Sequence, residues 1–182
     1  MSPILTEHSV DVITHSARQT LRIGERLGHL LRPGDVVCLQ GELGSGKTCL
    51  TQGIGLGLGV SGTISSPSFV FIKEYEPADE GPRLYHVDLF RIEEYSRALA
   101  LGLEDYLYAD GVTVIEWAER AAEIMPDERI WIRLAHLDYG KRSLLFEASG
   151  KRHMGILRSL KEELLDRRTK PNGSQSLEVP GE

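Results

Sequence analysis

The sequence predicts a single-domain α/β fold in which helices flank a central sheet. Two short apolar runs, 36–39 and 112–115, are typical of buried strands, and segments with helical periodicity lie between the predicted strands. With 182 residues the chain has the usual size of one domain and can bury a core without disulfides. We expect the α/β domain over 1–150, an amphipathic helix over 151–168 and a disordered, polar tail over 169–182.

Composition and charge narrow the class of protein. The chain is 41% hydrophobic and 26% charged, as in ordinary soluble globular proteins. Its formal net charge of -6 disfavours a broad nucleic-acid surface, because sequence-independent binding comes mainly from Lys and Arg. No apolar run approaches the roughly 18 to 20 residues that span a bilayer, and no signal-peptide pattern is present, so we expect a cytoplasmic protein without membrane contact. Cys38 and Cys49 lack CxxC spacing, which favours buried structural thiols over redox or metal roles.

Helices and strands alternate along the chain. Ser16 and Gln19 form a capping box for the first helix. The predicted elements in order are an edge strand at 9–14, a helix at 17–31, a strand at 36–39, a helix from 46 or 47 to 56, a hairpin of strands at 69–75 and 83–88, a helical patch at 94–108, a strand at 112–115, a short helix at 119–124 and strands at 128–134 and 142–146. Gly57, Gly59 and Gly62 match the dinucleotide fingerprint in spacing only, because a helix precedes them; we expect them to end that helix and turn the chain.

Residues 41–48, GELGSGKT, fit the P-loop pattern and lie between a buried strand and a helix. Glycines let backbone N–H groups converge on phosphate oxygens, and the helix N-terminus favours an anion. Lys47 is expected to bridge the β and γ phosphates, and the Thr48 hydroxyl to contact Mg²⁺. The motif thus predicts a P-loop NTPase-like sheet, with the hairpin after the P-loop helix, that takes ATP and Mg²⁺. The predicted nucleotide-binding residues are Glu42, Leu43, Gly44, Ser45, Gly46, Lys47, Thr48, Cys49 and Trp117.

A P-loop enzyme also needs an acidic group at a strand end to hold or orient magnesium and its waters. Glu116 follows one short apolar strand and Asp88 ends another. We assign Glu116 to the metal and Asp88 to orienting water; the exchanged assignment stays open, as does a structural carboxylate at either place. The candidate catalytic residues are Lys47, Asp88 and Glu116, and the candidate metal ligands are Thr48 and Glu116.

Other residues near these motifs have weaker signals. His86 and Asp88 form an H-x-D pair, but without a third ligand nearby a strand-face histidine is the preferred interpretation. The serines at 65–68 are either a plain turn or a loop that senses the γ phosphate. Trp117 either contacts the base or fills the core. The chain lacks the Asn-Lys-x-Asp and Asp-x-x-Gly motifs of Ras-type GTPases, which favours ATP over GTP.

Four blocks in order resemble the TsaE (YjeE) family of bacterial ATPases. They are GELGSGKT at 41–48, SPSF at 66–69, HVDLFR at 86–91 and EWAER at 116–120. The chain departs from the usual pattern at Ser68, Phe90 and Ala118, where Thr, Tyr and Pro are expected; none of these changes removes a group that the chemistry needs.

The resemblance implies a compact P-loop ATPase that takes part in making threonylcarbamoyladenosine beside the anticodon of tRNAs reading codons that begin with A. It implies docking on the TsaD and TsaB pair, with tRNA reached through that complex. By motif position, Lys47 and Thr48 take phosphate and magnesium contacts, Glu116 a magnesium role and Asp88 a role in hydrolysis. A small-molecule kinase and a nucleotide-binding adaptor without hydrolysis are the competing hypotheses.

Overall fold

The computed structural model of the chain describes residues 9–67, 71–93 and 95–169. The strands are β1 (Ser9–Thr14), β2 (Val36–Gln40), β3 (Ile72–Tyr75), β4 (Arg83–Asp88), β5 (Gly111–Glu116), β6 (Arg129–Asp138) and β7 (Lys141–Ser149). The helices are α1 (Ala17–Leu30), α2 (Lys47–Gly57), α3 (Tyr95–Ala100), α4 (Leu103–Leu107) and α5 (Lys151–Thr169), with a 3₁₀ helix at Ala118–Ile124. The predicted α/β class is confirmed.

Within the described residues the strands form one sheet with the order β1-β7-β6-β2-β5-β4-β3. Strands β4, β5, β2 and β6 pair in parallel, whereas β3, β7 and β1 join them antiparallel. Strand β1 is an edge strand, as predicted. Because β2, β4 and β5 run in the same direction, the residues at their carboxyl ends meet along one edge of the sheet.

Two apolar clusters pack against opposite faces of the sheet. The larger cluster contains residues of α1, α2 and α5, including Leu27, Ile54 and Leu157. The smaller cluster contains residues of α3, α4 and the 3₁₀ helix, including Leu103 and Ala121. Strand β2 serves both clusters, since its alternate residues belong to one or the other. This explains the apolar run that predicted a central strand covered on both sides.

Helices α1 and α2 cross in close contact because glycines line the crossing. An added Cβ at Gly24 would lie 2.4 Å from the carbonyl oxygen of Leu50, and one at Gly53 would lie 2.1 Å from that of Leu21. Distances this short leave no room for a side chain. The crossing therefore fixes α2 against the sheet, and α2 begins with Lys47 and Thr48, the last two residues of the P-loop.

The predicted cap of α1 is present. Ser16 is the N-cap residue, and its hydroxyl accepts a hydrogen bond from the backbone N–H of Gln19 at 3.2 Å. The Gln19 side chain accepts in turn from the N–H of His15 at 2.7 Å, one residue before the position that a capping box usually serves. The helix ends at Leu30, one residue earlier than predicted.

Some element boundaries differ from the prediction. The helical patch at 94–108 is divided, because Gly102 takes a left-handed conformation with φ 78° and separates α3 from α4. Strands β6 and β7 extend beyond the predicted 128–134 and 142–146. The hairpin of β3 and β4 is present, but β3 begins at Ile72, and residues 68–70 lie outside the described part.

The glycines after the P-loop helix do not all act as expected. Gly59 and Gly62 have φ of 73° and 87° and turn the chain, as predicted. Gly57, however, lies in the last turn of α2, where its missing side chain allows the approach of α1. The tail predicted at 169–182 lies outside the described residues except for Thr169, the last residue of α5.

Helix α5 packs on the same face as α1 and α2. Its Ile156, Leu157 and Leu160 belong to the larger apolar cluster. At its N-terminal end, Arg152 donates to both carboxylate oxygens of the buried Asp35, at 2.8 and 2.7 Å. Across the described residues, no helix has the combination of length and apolarity that spanning a bilayer requires.

Candidate functional site

The P-loop connects β2 to α2 in a conformation that requires glycine. Gly41 has φ 152°, and an added Cβ there would lie 2.3 Å from the carbonyl oxygen of Leu134. Gly46 is the N-cap residue of α2 with φ 106°, which a residue with a side chain rarely adopts. The first N–H groups of α2 have no helical carbonyl to bind, and they form the positive end of the helix dipole. The loop is therefore built to receive an anion.

The ammonium of Lys47 is held by the loop and by Trp117. Its Nζ donates to the carbonyl oxygens of Gly41 at 2.6 Å and Glu42 at 2.9 Å. It also lies 3.8 Å from the centre of the Trp117 ring. Burial lowers the pKa of Lys47, and the nearby carboxylate of Glu116 opposes this shift. The Lys47 ammonium therefore gives the cleft a positive charge that can pair with an anion.

Glu116 lies at the end of β5, where three side chains meet its carboxylate. Thr48 donates from Oγ1 to Oε2 at 2.9 Å, and Nε2 of His86 lies 2.8 Å from Oε1. The Thr51 hydroxyl lies 3.3 Å from the same Oε1. Two predicted metal ligands, Thr48 and Glu116, are therefore in direct contact although they are distant in the sequence.

Asp88 ends β4 directly beside Glu116 in the parallel register. The Ser66 hydroxyl donates to its Oδ2 at 2.5 Å, and the backbone N–H of Phe90 donates to its Oδ1 at 2.9 Å. The contact brings one serine of the predicted 65–68 segment to the site, whereas Ser68 lies outside the described residues.

The H-x-D pair does not form a metal cluster. Among the described residues, no group of three or more His, Cys, Asp and Glu side chains could hold a metal ion. His86 is a strand-face residue, as preferred, but its ring is fully buried against Glu116. Sequence reasoning missed this contact. The signal was available, since His86 and Asp88 share one face of a strand and Glu116 ends another apolar strand.

Trp117 adopts a left-handed conformation with φ 61° directly after Glu116. Its ring packs on that of Phe90, with centroids 5.1 Å apart, and covers the Lys47 ammonium. It is half-buried and lines the cleft, so it is neither a plain core residue nor fully open. A non-glycine residue in this conformation is strained, and such strain is common at functional sites.

A cleft of about 450 Å³ brings most of the predicted site residues together. Those that line it are Leu43, Gly44, Gly46, Lys47, Thr48, Cys49, Asp88, Glu116 and Trp117. Glu42 and Ser45 do not line it; Glu42 takes part through its carbonyl oxygen, and Ser45 is fully buried. Ser66, Phe90 and Arg91 also line the cleft, although no site role was predicted for Phe90 or Arg91.

Glu119 is a further carboxylate near the loop, and no site role was predicted for it. Burial raises its pKa, whereas hydrogen bonds from its own backbone N–H and from that of Gly41, together with the charge of Lys47, oppose the shift. Its Oε2 has no hydrogen-bond partner within the described part of the chain. Glu119 therefore lies beside Gly41, the first residue of the P-loop, and near the Lys47 ammonium. Only its place in the EWAER block could have indicated this.

The two cysteines differ in environment. Cys38 is buried in β2, and burial raises the pKa of its thiol to about 12, as expected for a structural thiol. Cys49 is only half-buried, and its Sγ lies 3.2 Å from the carbonyl oxygen of Ala17. The prediction that both thiols are buried is therefore wrong for Cys49, which follows Thr48 and lines the cleft.

A strand, a glycine loop, a helix and two carboxylates at neighbouring strand ends define a protein of the P-loop type. A family model described as "Threonylcarbamoyl adenosine biosynthesis protein TsaE" matches residues 14–144. The chain belongs to the TsaE family, as its four sequence blocks predicted.

Individual relatives and a solved structure support the assignment to the TsaE family. The chain is 38% identical over 140 residues to the "tRNA threonylcarbamoyladenosine biosynthesis protein TsaE" of Bacillus subtilis, covering 77% of this chain and 86% of that protein. It is 39% identical over 132 residues to the protein of the same name from Treponema pallidum, covering 72% and 96%. The crystal structure of Bacillus subtilis YdiB superposes with a TM-score of 0.73 at 32% identity, covering 85% of this chain and 95% of YdiB.

Proposed function

We propose that this chain binds and hydrolyses ATP with Mg²⁺ as a subunit required for threonylcarbamoyladenosine modification of tRNA. The observation that carries the proposal is the meeting of Lys47, Thr48 and Glu116 in one cleft at the N-terminus of α2. The names of the TsaE relatives supply the pathway.

The residues present suit a nucleoside triphosphate with magnesium. Gly44, Gly46 and the Lys47 ammonium line the cleft at the N-terminus of α2, where backbone N–H groups and a positive charge suit an anion. Lys47 would take the β and γ phosphates, and the loop residues from Glu42 to Cys49 would surround them. Thr48 and Glu116 offer the hydroxyl and carboxylate oxygens that magnesium prefers. When bound, the ion neutralises charge that develops on the phosphates.

Asp88 is proposed to orient the attacking water. Its Oδ1 and Oδ2 accept from Phe90 and Ser66, so the carboxylate is fixed at the cleft wall. Glu116 is tied to Thr48 and is the better placed of the two for the metal. The exchanged assignment predicts that Asp88→Asn, rather than Glu116→Gln, changes the magnesium requirement.

The proposed partners are the TsaD and TsaB proteins, with tRNA reached indirectly through their complex. The net charge of -6 supports this, because an acidic chain is poorly suited to grip RNA by itself. ATP hydrolysis would support repeated turnover by the complex, and the chain alone would hydrolyse slowly. The adenosine that is modified is the one beside the anticodon in tRNAs that read codons beginning with A.

The test is ATP hydrolysis by the purified chain, alone and with TsaD and TsaB. Lys47→Ala should abolish hydrolysis, because the phosphates lose their cation. Lys151→Ala, an exposed lysine at the start of α5, is the matched control and should leave the rate unchanged. Stimulation by the partners that is lost only with Lys47→Ala supports the proposal. Phosphate transfer to a small molecule instead would identify a kinase, and nucleotide binding without turnover would identify an adaptor.

A further inference from the structure

We propose that His86 is a positioning residue that fixes the Glu116 carboxylate for magnesium; this rests on the proposed function. The histidine does not face the cleft itself. It acts from inside the sheet, on the oxygen of Glu116 that is turned away from Thr48.

The contact between His86 and Glu116 is short and buried. His86 is 0% exposed and Glu116 is 2% exposed. Nε2 of His86 and Oε1 of Glu116 are 2.8 Å apart, and a carboxylate oxygen can only accept, so Nε2 carries the hydrogen and donates it. The other ring nitrogen, Nδ1, has no hydrogen-bond partner in the described part of the chain. Within the described residues, Glu116 is therefore the one hydrogen-bond partner of the His86 ring.

The two oxygens of Glu116 are thereby divided between two tasks. Oε1 is held by His86, with the Thr51 hydroxyl nearby, whereas Oε2 faces Thr48 and the cleft. A carboxylate tied at one oxygen has fewer rotamers to lose when the other oxygen takes a ligand. Partners that tie a ligating group in this way strengthen metal binding, and their loss commonly costs 10-fold to 100-fold in metal affinity or activity.

A merely structural histidine is the alternative. The residues beside it on β4, Tyr85 and Val87, are buried, and Leu84 on the same face belongs to the apolar cluster. An apolar residue would complete that surface without the cost of burying an imidazole. The structural alternative predicts that every substitution affects stability, in proportion to the packing lost, and that magnesium is irrelevant. The positioning role predicts that one nitrogen atom matters.

Glutamine and asparagine separate these alternatives. The amide nitrogen of Gln reaches the position of Nε2, whereas that of Asn reaches only the position of Nδ1. We expect His86→Gln to keep the magnesium requirement within about 3-fold of the unsubstituted protein. His86→Asn should raise the magnesium concentration needed for half-maximal binding by about 10-fold to 100-fold. Binding without magnesium should stay the same in both variants.

The measurement is the affinity for a fluorescent, non-hydrolysable ATP analogue, titrated with Mg²⁺ and repeated without it. It is made well below the lower of the melting temperatures of the variants. His86→Leu, which removes both nitrogens and keeps an apolar side chain, replaces His86→Asn if that variant does not fold. Equal magnesium requirements for the Gln variant and for the Asn or Leu variant would overturn the positioning role. Failure of the unsubstituted protein to bind the analogue with magnesium would instead overturn the proposed function.

Discussion

The Lys47 ammonium lies 3.8 Å from the centre of the Trp117 ring, so the cation of the P-loop is stacked on the residue that follows the candidate metal carboxylate. The same ammonium donates to two carbonyl oxygens of its own loop. An anion that enters the cleft must compete with these carbonyls for the ammonium. Binding at the P-loop and the environment of Trp117 are therefore coupled.

This coupling predicts an optical signal. In Trp131→Phe, Trp117 is the remaining tryptophan, and ATP should change its fluorescence because the neighbouring ammonium moves towards the phosphates. In Trp117→Phe, the remaining Trp131 donates to Gln40 and does not line the cleft, so its fluorescence should change less. Fluorescence titrations of the two variants make the comparison. An equal change in both would show that the signal does not come from the Lys47 and Trp117 contact.

Glycine-to-alanine substitutions should have opposite effects on stability at the crossing of α1 and α2 and in α5. Gly53→Ala should lower the free energy of unfolding by about 1–3 kcal/mol, because the new Cβ would lie 2.1 Å from a backbone oxygen. Gly155→Ala in α5 is the matched control, since a Cβ there meets nothing within 4 Å. It should raise stability by about 0.5–1 kcal/mol, as alanine favours a helix over glycine. Urea unfolding measures both, and a stabilised Gly53→Ala would show that the crossing is loose.

Local signals in the sequence were sufficient for the P-loop and its surroundings. The apolar run of β2, the glycine spacing and Ser16 each determine local backbone geometry, and these elements are where they were predicted. The divided helix at Gly102 was missed because its neighbours have helical periodicity and one glycine is tolerated inside many helices. Gly102 has a left-handed φ between α3 and α4, and both helices contribute residues to the smaller apolar cluster.

The features that were not predicted from the sequence depend on contacts between distant segments. The packing role of the glycines in α1 and α2 was not predicted, and Gly57 was expected to end its helix, because that role appears only when the two helices meet. His86 was interpreted as an ordinary strand residue because pairing with Glu116 depends on the parallel register of β4 and β5. The motif residues were predicted to form one site, because a P-loop enzyme needs an acidic group at a strand end, but which oxygen meets which hydroxyl is decided by tertiary packing.

Asp35 predicts a loss of stability in acid. Burial by itself raises its pKa, but the His153 ring 3.3 Å away, together with hydrogen bonds from Arg152 and the Arg32 backbone, outweighs this and brings the pKa to about 2, from 3.8. A lowered folded-state pKa stabilises the protein above the unfolded value, and that stabilisation is lost as the pH falls towards 2. The contribution is about 2 kcal/mol.

Urea unfolding between pH 5 and pH 2 tests this. The unsubstituted chain should lose about 2 kcal/mol more over this range than Asp35→Asn does. Asp138→Asn, at an exposed carboxylate 3.6 Å from Lys141, is the control and should lose stability in parallel with the unsubstituted chain. Parallel curves for all three proteins would contradict the assignment of this pH dependence to Asp35.

The Thr48 hydroxyl predicts a specific dependence on magnesium. Thr48→Val keeps the shape of the side chain but removes the group that donates to Glu116 at 2.9 Å and is proposed to bind the metal. It should raise the magnesium concentration that half-saturates ATP binding by at least about 10-fold. Thr48→Ser keeps the hydroxyl and should stay within a few-fold of the unsubstituted protein. Titration of a fluorescent ATP analogue with Mg²⁺ measures all three proteins, and equal values for Val and Ser would place the metal away from Thr48.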